Sequence, residues 1–331
     1  VNILVTGATG FVGSVLVPRL MREFGAGSLA AYVLPAEPIP AAWRDGPVEV
    51  IRGDITDAAR VAAACRGRSH VIHLAACISY RRRDHDRLMA VNRDGVRNVV
   101  EACLAAPVKR LVHVSSVGAL GFKKNGELSD EDTPFNWPAV FHYMTSKHLG
   151  QRIVEYAVKA RGLEAIILSP ASIMGPGDHN RLTPHNMLYD GVYRGRLFGS
   201  FAGGLGVVDV RDVAAVITKS LDSGRAGERY LLAGANLSYG EVLRLIGRYS
   251  GRRVYPFRVP GPLLAGVGQA LESLSLLTRR PPLLTYAYGR LSGWTTYYRN
   301  EKSRREFGHA YIPIEDTIRD SCRYFERTFL K

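Results

Sequence analysis

The sequence predicts an α/β protein, a doubly wound parallel sheet with a smaller C-terminal substrate lobe interleaved with it. Three observations lead there. Gly7, Gly10 and Gly13 fall three apart directly after the apolar run Val1 to Val5. Short apolar runs then alternate with helical segments, the pattern of a parallel sheet covered on both faces. Finally, Tyr143 stands four residues before Lys147 in a helical run that follows a strand ending in Ser115 and Ser116.

The strand-like runs are residues 3–5, 29–34, 48–51, 70–74, 110–114 and 165–168, with helical runs between them, among them 88–104 and 142–160. After Pro170 glycine and proline become frequent, helices shorten, and basic and aromatic residues collect. Residues 207–221 read as one more strand–helix piece of the first lobe. Residues 262–277 mix apolar side chains with little charge and predict a helix of the second lobe packed against the ligand, in preference to a membrane contact beside Arg279 and Arg280. Pro18 lies inside the first helix and predicts a bend or an early stop, because it removes a hydrogen bond and crowds the preceding turn.

The glycine triplet draws its meaning from context, since it follows a strand and opens a helix. Glycine permits the tight turn and lets the backbone approach a pyrophosphate, and the first amides of the helix point at that anion. Tyr143 and Lys147, four apart, place a phenol and an ammonium on one helix face. A free phenol titrates near ~10, and a neighbouring cation favours the phenolate. With Ser116 to hold a carbonyl oxygen, this set suits proton transfer to or from a carbonyl or alcohol. A second match, Tyr298 and Lys302, lies in a charged stretch with no strand or serine before it and reads as structural.

The net charge is +14, carried mostly by arginine. Most of it reads as solvated surface. The run Arg81-Arg82-Arg83 follows strand 70–74 on the side where α/β folds bind ligands, and makes room for an anionic substrate. No nucleic-acid motif accompanies the charge. Cys65, Cys77, Cys103 and Cys322 are scattered and the histidines form no ligand pattern, so neither disulfides nor a metal site is expected. His73 closes an apolar strand and reads as a satisfied core residue. A first strand at residue 1 leaves no space for a leader, and no apolar run reaches the roughly eighteen residues of a membrane span. The expectation is a cytoplasmic protein without membrane contact.

With these residues in view, the chain resembles the extended short-chain dehydrogenase/reductases of the NAD-dependent epimerase/dehydratase superfamily. Within them it is most similar to the dihydroflavonol-reductase-like and hydroxysteroid-dehydrogenase-like branch. The resemblance covers nearly the whole length. It is carried by Thr6-Gly7-Ala8-Thr9-Gly10-Phe11-Val12-Gly13, by Gly53-Asp54-Ile55-Thr56-Asp57, and by His73-Leu74-Ala75-Ala76 and Val91-Asn92. Further on it includes Pro170 with Gly175-Pro176-Gly177-Asp178, Val210-Arg211-Asp212-Val213-Ala214, and Lys302 to Gly308. It implies a Rossmann-type dinucleotide-binding domain over residues 1–170 that returns at about 205–233, with the substrate lobe made of 171–204 and 234–331.

The resemblance also implies roles. Ser116, Tyr143 and Lys147 are the catalytic set, with Ser116 preferred to Ser115 because it keeps the family's spacing to Gly121. Lys147 would hold the cofactor ribose and lower the phenol's pKa. Asn92 would steady the active-site backbone. Cofactor contacts would fall on Gly7, Thr9, Gly10, Phe11, Val12 and Gly13, on Leu34, Asp54 and Ile55, and on Leu74, Ala75 and Ala76. Tyr143, Lys147, Pro170, Ser172 and Ile173 complete that set, and Asp54 is similar to the family's adenine-contacting aspartate. Position 34 departs from the pattern, being neither acidic nor basic. With Glu37 nearby to repel a phosphate, NAD(H) is favoured over NADP(H); Arg44 is the alternative route to a phosphate contact.

The expected activity is reversible hydride transfer between a nicotinamide and a ketone, aldehyde or secondary alcohol. A nucleotide-sugar epimerase or dehydratase with retained NAD would use the same residues. Leu168-Ser169-Pro170-Ala171-Ser172 stands where that group usually shows an arginine and an asparagine, which favours the reductase branch. A non-catalytic cofactor-binding protein is the third reading, although both Tyr143 and Lys147 are kept. Helices 88–104 and 142–160 correspond to those through which the family pairs, so a two-fold homodimer is expected.

Overall fold

The computed structural model describes residues 1–44, 46–124, 126–278 and 282–330. Arg279 and Arg280 lie outside the described residues. The main sheet consists of β1 (Ile3–Thr6), β2 (Leu29–Val33), β3 (Glu49–Arg52), β4 (His70–His73), β5 (Arg110–Val114), β6 (Ala165–Pro170) and β7 (Arg229–Leu232). All are parallel, in the order β7-β6-β5-β4-β1-β2-β3. Strands β1, β2, β4 and β6 are buried along their whole length, as strands covered on both faces must be. The chain steps from β1 outward to β3, then crosses back to place β4 on the other side of β1. That reversal opens a crevice at the C-terminal ends of β1 and β4, the place where such sheets take ligands.

The helices that matter for the site are α1 (Phe11–Phe24), α2 (Gly95–Ala105), α3 (His142–Arg161), α4 (Val210–Lys219), α5 (Gly261–Thr278) and α6 (Tyr286–Leu291). Side chains alternate along each strand, so Ile3, Val5, Val112 and Ile166 feed a core on the α1–α4 face. Leu4, Val71, Leu111 and Ile167 feed a second core under α2 and α3. Helix α3 ends at Gly162, whose left-handed φ of 69° lets its amide close on the Ala157 carbonyl. Helix α1 runs a full 14 residues despite Pro18. Pro18 is on the exposed face, where a carbonyl left without its partner faces water.

One segment goes elsewhere than the sequence reading expects. Residues Gly204–Asp209 do not join the main sheet but form the hub of a second one. They pair antiparallel with Ala235–Ser238 and parallel with Thr295–Tyr298 and Ser172–Met174, while Leu128–Ser129 extends the sheet beyond Thr295–Tyr298. Only the following helix, α4, returns, packing on α1, and the next main-sheet strand is β7. The run is buried throughout, so apolar patterning could not say which sheet would cover it.

Candidate active site

The glycine turn at the end of β1 is built so that each glycine meets a different constraint. Gly7 adopts φ 68°, and a Cβ there would lie 2.8 Å from the Ala75 amide nitrogen. At Gly13 a Cβ would strike the Ala8 carbonyl oxygen at 2.3 Å. At Gly10 the only near contact would be the Gly7 carbonyl at 3.2 Å, so that glycine keeps the approach to the helix end open. Gly10 caps α1 without a side-chain hydrogen bond, and no acidic residue stands in the first turn. The buried Thr9 hydroxyl has no partner within the protein. Helix amides and dipole therefore face the crevice unopposed, which fits the pyrophosphate of a dinucleotide. Phe11 stacks on His185 at 5.1 Å, and the Ser14 hydroxyl donates to the Gly177 carbonyl at 3.0 Å, fastening the loop after β6 to this turn.

The other expected cofactor residues are distributed unevenly. Leu34, at the end of β2, is 48% exposed. The Arg52 guanidinium donates to the carbonyls of Leu34, Pro35 and Glu37 at 3.2, 2.8 and 3.0 Å. Sequence reasoning missed Arg52, which reaches these carbonyls because strand pairing sets it opposite Val33. Asp54 accepts from the amide and hydroxyl of Thr56, and the Tyr32 hydroxyl donates to its carbonyl. The Ile55 side chain is buried against Gly95. Leu74, Ala75 and Ala76 follow β4, with the Ala75 amide donating to the Thr6 hydroxyl at 3.3 Å. Pro170 is buried at the end of β6, Ile173 half-buried and Ser172 exposed.

Tyr143 and Lys147 share a face of α3 beside the end of β5. The Lys147 ammonium is buried and donates to the Val114 carbonyl at 3.1 Å. Burial lowers its pKa to about 8. Burial raises the Tyr143 phenol above its usual value, with the Ser116 hydroxyl opposing that shift. The expectation that Lys147 pulls the phenol down is not met: Lys147 faces the strand carbonyl, and loss of water governs both groups. Ser116 caps a short turn, accepting from the Gly118 amide at 3.1 Å. The Ser115 hydroxyl is already engaged, donating to Gln151 at 2.8 Å. Asn92 lies in a π-helical turn, Ala90–Asp94, and bonds both Cys77 and Ser146. By contrast Tyr298 sits on the strand Thr295–Tyr298 and Lys302 on the helix Glu301–Phe307, where Lys302 pairs with Glu228 at 2.6 Å. The second tyrosine–lysine match is split between elements.

Two features near this set were not legible beforehand. The Tyr80 ring packs at a tilt against Tyr143, 6.0 Å between centroids, and against Tyr288 of α6 at 5.3 Å. Phe122, Trp137, Phe141 and Trp294 extend this into an aromatic wall. A cavity of about 730 Å³ shares Phe122 and Trp294 with the wall, but Tyr143, Lys147 and Ser116 do not line it. Below Lys147, His73 and His113 stack at 5.4 Å inside the core. His73 shares a 2.8 Å hydrogen bond with Thr6, yet its Nε2 and both nitrogens of His113 lack partners. The expectation of a satisfied His73 therefore holds for one nitrogen only. Burial holds His73 down to about 3 and His113 well below the usual range, with Lys147 adding to both shifts.

Residues 3–233 match the NAD dependent epimerase/dehydratase family. The chain is 30% identical to "Sterol demethylase protein B" of Methylococcus capsulatus, over 97% of each chain. It is 27% identical to a "Putative dihydroflavonol 4-reductase" of Synechocystis, over 97% of this chain and 94% of that one. A UDP-glucose 4-epimerase from Thermotoga maritima, crystallised with UDP-glucose, shares the fold with a TM-score of 0.79 at 19% identity over 100% of both chains. Among the described residues no helix is long and apolar enough to cross a membrane.

Proposed function

The chain belongs to the NAD dependent epimerase/dehydratase family, an enzyme of the extended short-chain dehydrogenase/reductase superfamily, and from that premise we propose a reductase–dehydrogenase acting on an apolar ketone or secondary alcohol. The observation that carries this reading is the position of Tyr143. Its phenol stands between the Ser116 hydroxyl and the aromatic Tyr80, on the same helix as the buried Lys147.

In the reductive direction Ser116 donates a hydrogen bond to the carbonyl oxygen and polarises it. Tyr143 delivers its proton to that oxygen as charge develops there. A phenol raised by burial is neutral at physiological pH, the state a proton donor needs. Lys147 holds the cofactor ribose. The nicotinamide, when bound, gives or takes the hydride. The glycine turn and α1 hold its pyrophosphate, and Leu34 and Asp54 border its adenosine half. Tyr80 and Tyr288 shape the side of the site facing the substrate and exclude water. An arginine-flanked approach suits an anionic group on the substrate as well.

The nucleotide-sugar epimerase reading rests on the same three residues. What favours the reductase is the segment Leu168-Ser169-Pro170-Ala171-Ser172, which lacks the arginine and asparagine that the epimerase group usually shows there. NAD(H) is preferred over NADP(H), since Arg52 is tied to three loop carbonyls and Leu34 offers no phosphate contact. The test is a panel of apolar and anionic carbonyl compounds followed by nicotinamide absorbance, with NADH and NADPH titrated separately. Turnover with exchangeable NADH is expected. Cofactor that stays bound through purification, with no net oxidation of NADH by any carbonyl compound, would replace this reading with an epimerase. A clear preference for NADPH that Arg52→Ala abolishes would reverse the cofactor assignment.

A further inference from the structure

We propose that α5 lies on an anionic membrane surface, its outer leucine stripe in the lipid and the arginines of the adjoining loop on the headgroups. The helix has two faces of opposite character. Gly261, Ala265 and Gly268 form a buried stripe that seats α6. A Cβ at Gly268 would lie 2.5 Å from the Thr285 carbonyl carbon, and one at Gly289 would lie 2.5 Å from the Leu264 carbonyl oxygen. On the opposite face Leu263, Val267, Ala270, Leu274 and Leu277 recur at spacings of four and three, the period of one helical face. Leu263, Val267, Leu274 and Leu277 are 60%, 45%, 52% and 83% exposed. The helix thus packs on α6 along one side and leaves the other open. A continuous exposed row of this kind marks an interaction surface.

Charge identifies the occupant. The helix carries a single charged residue among those described, Glu272, and its carboxylate is turned inward to the Tyr286 amide at 3.0 Å. The loop beside it carries Arg81, Arg82, Arg83 and Arg87 against Asp84 and Asp86. Arg82 reaches onto the helix, donating to Gln269 at 3.3 Å and lying over the Tyr286 ring at 5.4 Å. Ile78, at the start of the same loop, is 59% exposed. An apolar row with cations at its edge matches a bilayer of anionic lipid, into which such a helix sinks parallel to the surface. Among the described residues no helix is long and apolar enough to cross a membrane, so the proposed contact is peripheral.

The test is co-sedimentation of the full chain with vesicles of phosphatidylcholine alone and of phosphatidylcholine mixed with phosphatidylglycerol. Binding to the mixed vesicles that weakens with salt is expected. Leu263→Gln, Leu274→Gln and Leu277→Gln together should weaken it at least ~10-fold. Arg81→Gln, Arg82→Gln and Arg83→Gln together should weaken it on the order of 100-fold. The thermal melt of the leucine variant should match the parent, since Leu263, Leu274 and Leu277 face solvent. That of the arginine variant should fall only by what the Arg82 contacts to Gln269 and Tyr286 supply. Three results would overturn the proposal: no vesicle binding by the parent chain, equal binding to neutral vesicles, or self-association in solution that the leucine substitutions abolish.

Discussion

The Asn92 carboxamide grips Cys77 by both of its backbone polar groups. Its Oδ1 accepts from the Cys77 amide and its Nδ2 donates to the Cys77 carbonyl, each at 2.8 Å. The same Nδ2 donates to the Ser146 hydroxyl at 2.9 Å, and Ser146 directly precedes Lys147. One buried side chain therefore joins the loop that leads to Tyr80 with the helix that carries Tyr143 and Lys147. Gly150 makes the approach possible, because a Cβ there would lie 2.1 Å from the Asn92 carbonyl oxygen. The π-helical turn around Asn92 is the backbone adjustment that aims it.

Asn92→Asp keeps the shape and removes both donors. The Cys77 carbonyl then faces a carboxylate, and each buried group left without a partner costs about 1–3 kcal/mol. The melting temperature should fall by several degrees and turnover should fall with it, while dinucleotide affinity at the distant glycine turn changes little. Calorimetry and initial rates check this. An unchanged melt would show that the contact does not hold the loop.

Tyr143→Phe preserves the tilted ring contact with Tyr80 and removes the proton donor. Turnover should fall by at least ~100-fold, the lower end of what general acid–base help supplies, with cofactor binding retained. Tyr298→Phe should leave the rate near that of the parent, since Tyr298 lies on a different element from Lys302. If the two variants exchange these outcomes, the wrong tyrosine has been assigned.

His73 and His113 make the fold sensitive to acid. Both are held below the ordinary histidine value of 6.5, His73 to about 3. The unfolded chain therefore binds more protons than the folded one between about 3 and 6.5, so stability is lost as pH falls through that window. His113→Leu removes two buried nitrogens that have no partners and fills a similar volume. It should raise the melting temperature at pH 7 and flatten the acid limb between pH 6.5 and 4. A lower melting temperature at both pH values would mean that the imidazole has partners the fold depends on.

How much of this could be read from residues differs by region. The glycine turn, the places of the strands along the chain up to β6 and the helix carrying Tyr143 follow from local pattern, because each is fixed by neighbours in sequence. Arg52 was invisible, since its reach to the Leu34–Glu37 carbonyls depends on a strand pairing. Tyr80 and Tyr288 lie 208 positions apart, and nothing in either segment announces their contact. The second sheet escaped notice for a related reason: Leu128–Ser129 and Ser172–Met174 are short strands supplied by distant parts of the chain, too short to show a period.

The two-fold dimer expected from helices 88–104 and 142–160 rests on a narrower surface than their apolar content suggests. The sheet already covers Val96, Val99, Val100, Val154 and Ala157. The large apolar side chains that face outward on α3 are Leu149 and Tyr156, 36% and 67% exposed and seven residues apart, so on one line of the helix. Arg161 and Glu101 tie α3 to α2 beside them. If the chain pairs through this face, the contact centres on Leu149 and Tyr156, and each meets its two-fold mate's helix. Leu149→Arg with Tyr156→Arg should then convert the dimer to a monomer in sedimentation velocity, by placing like charges opposite one another in a closing interface. Neutralising Arg81, Arg82 and Arg83 should leave the dimer intact, because that loop packs on α5 and α6. A parent chain that sediments as a monomer at all concentrations would dismiss the pairing, and a dimer broken only by the arginine changes would move it to the other side of the molecule.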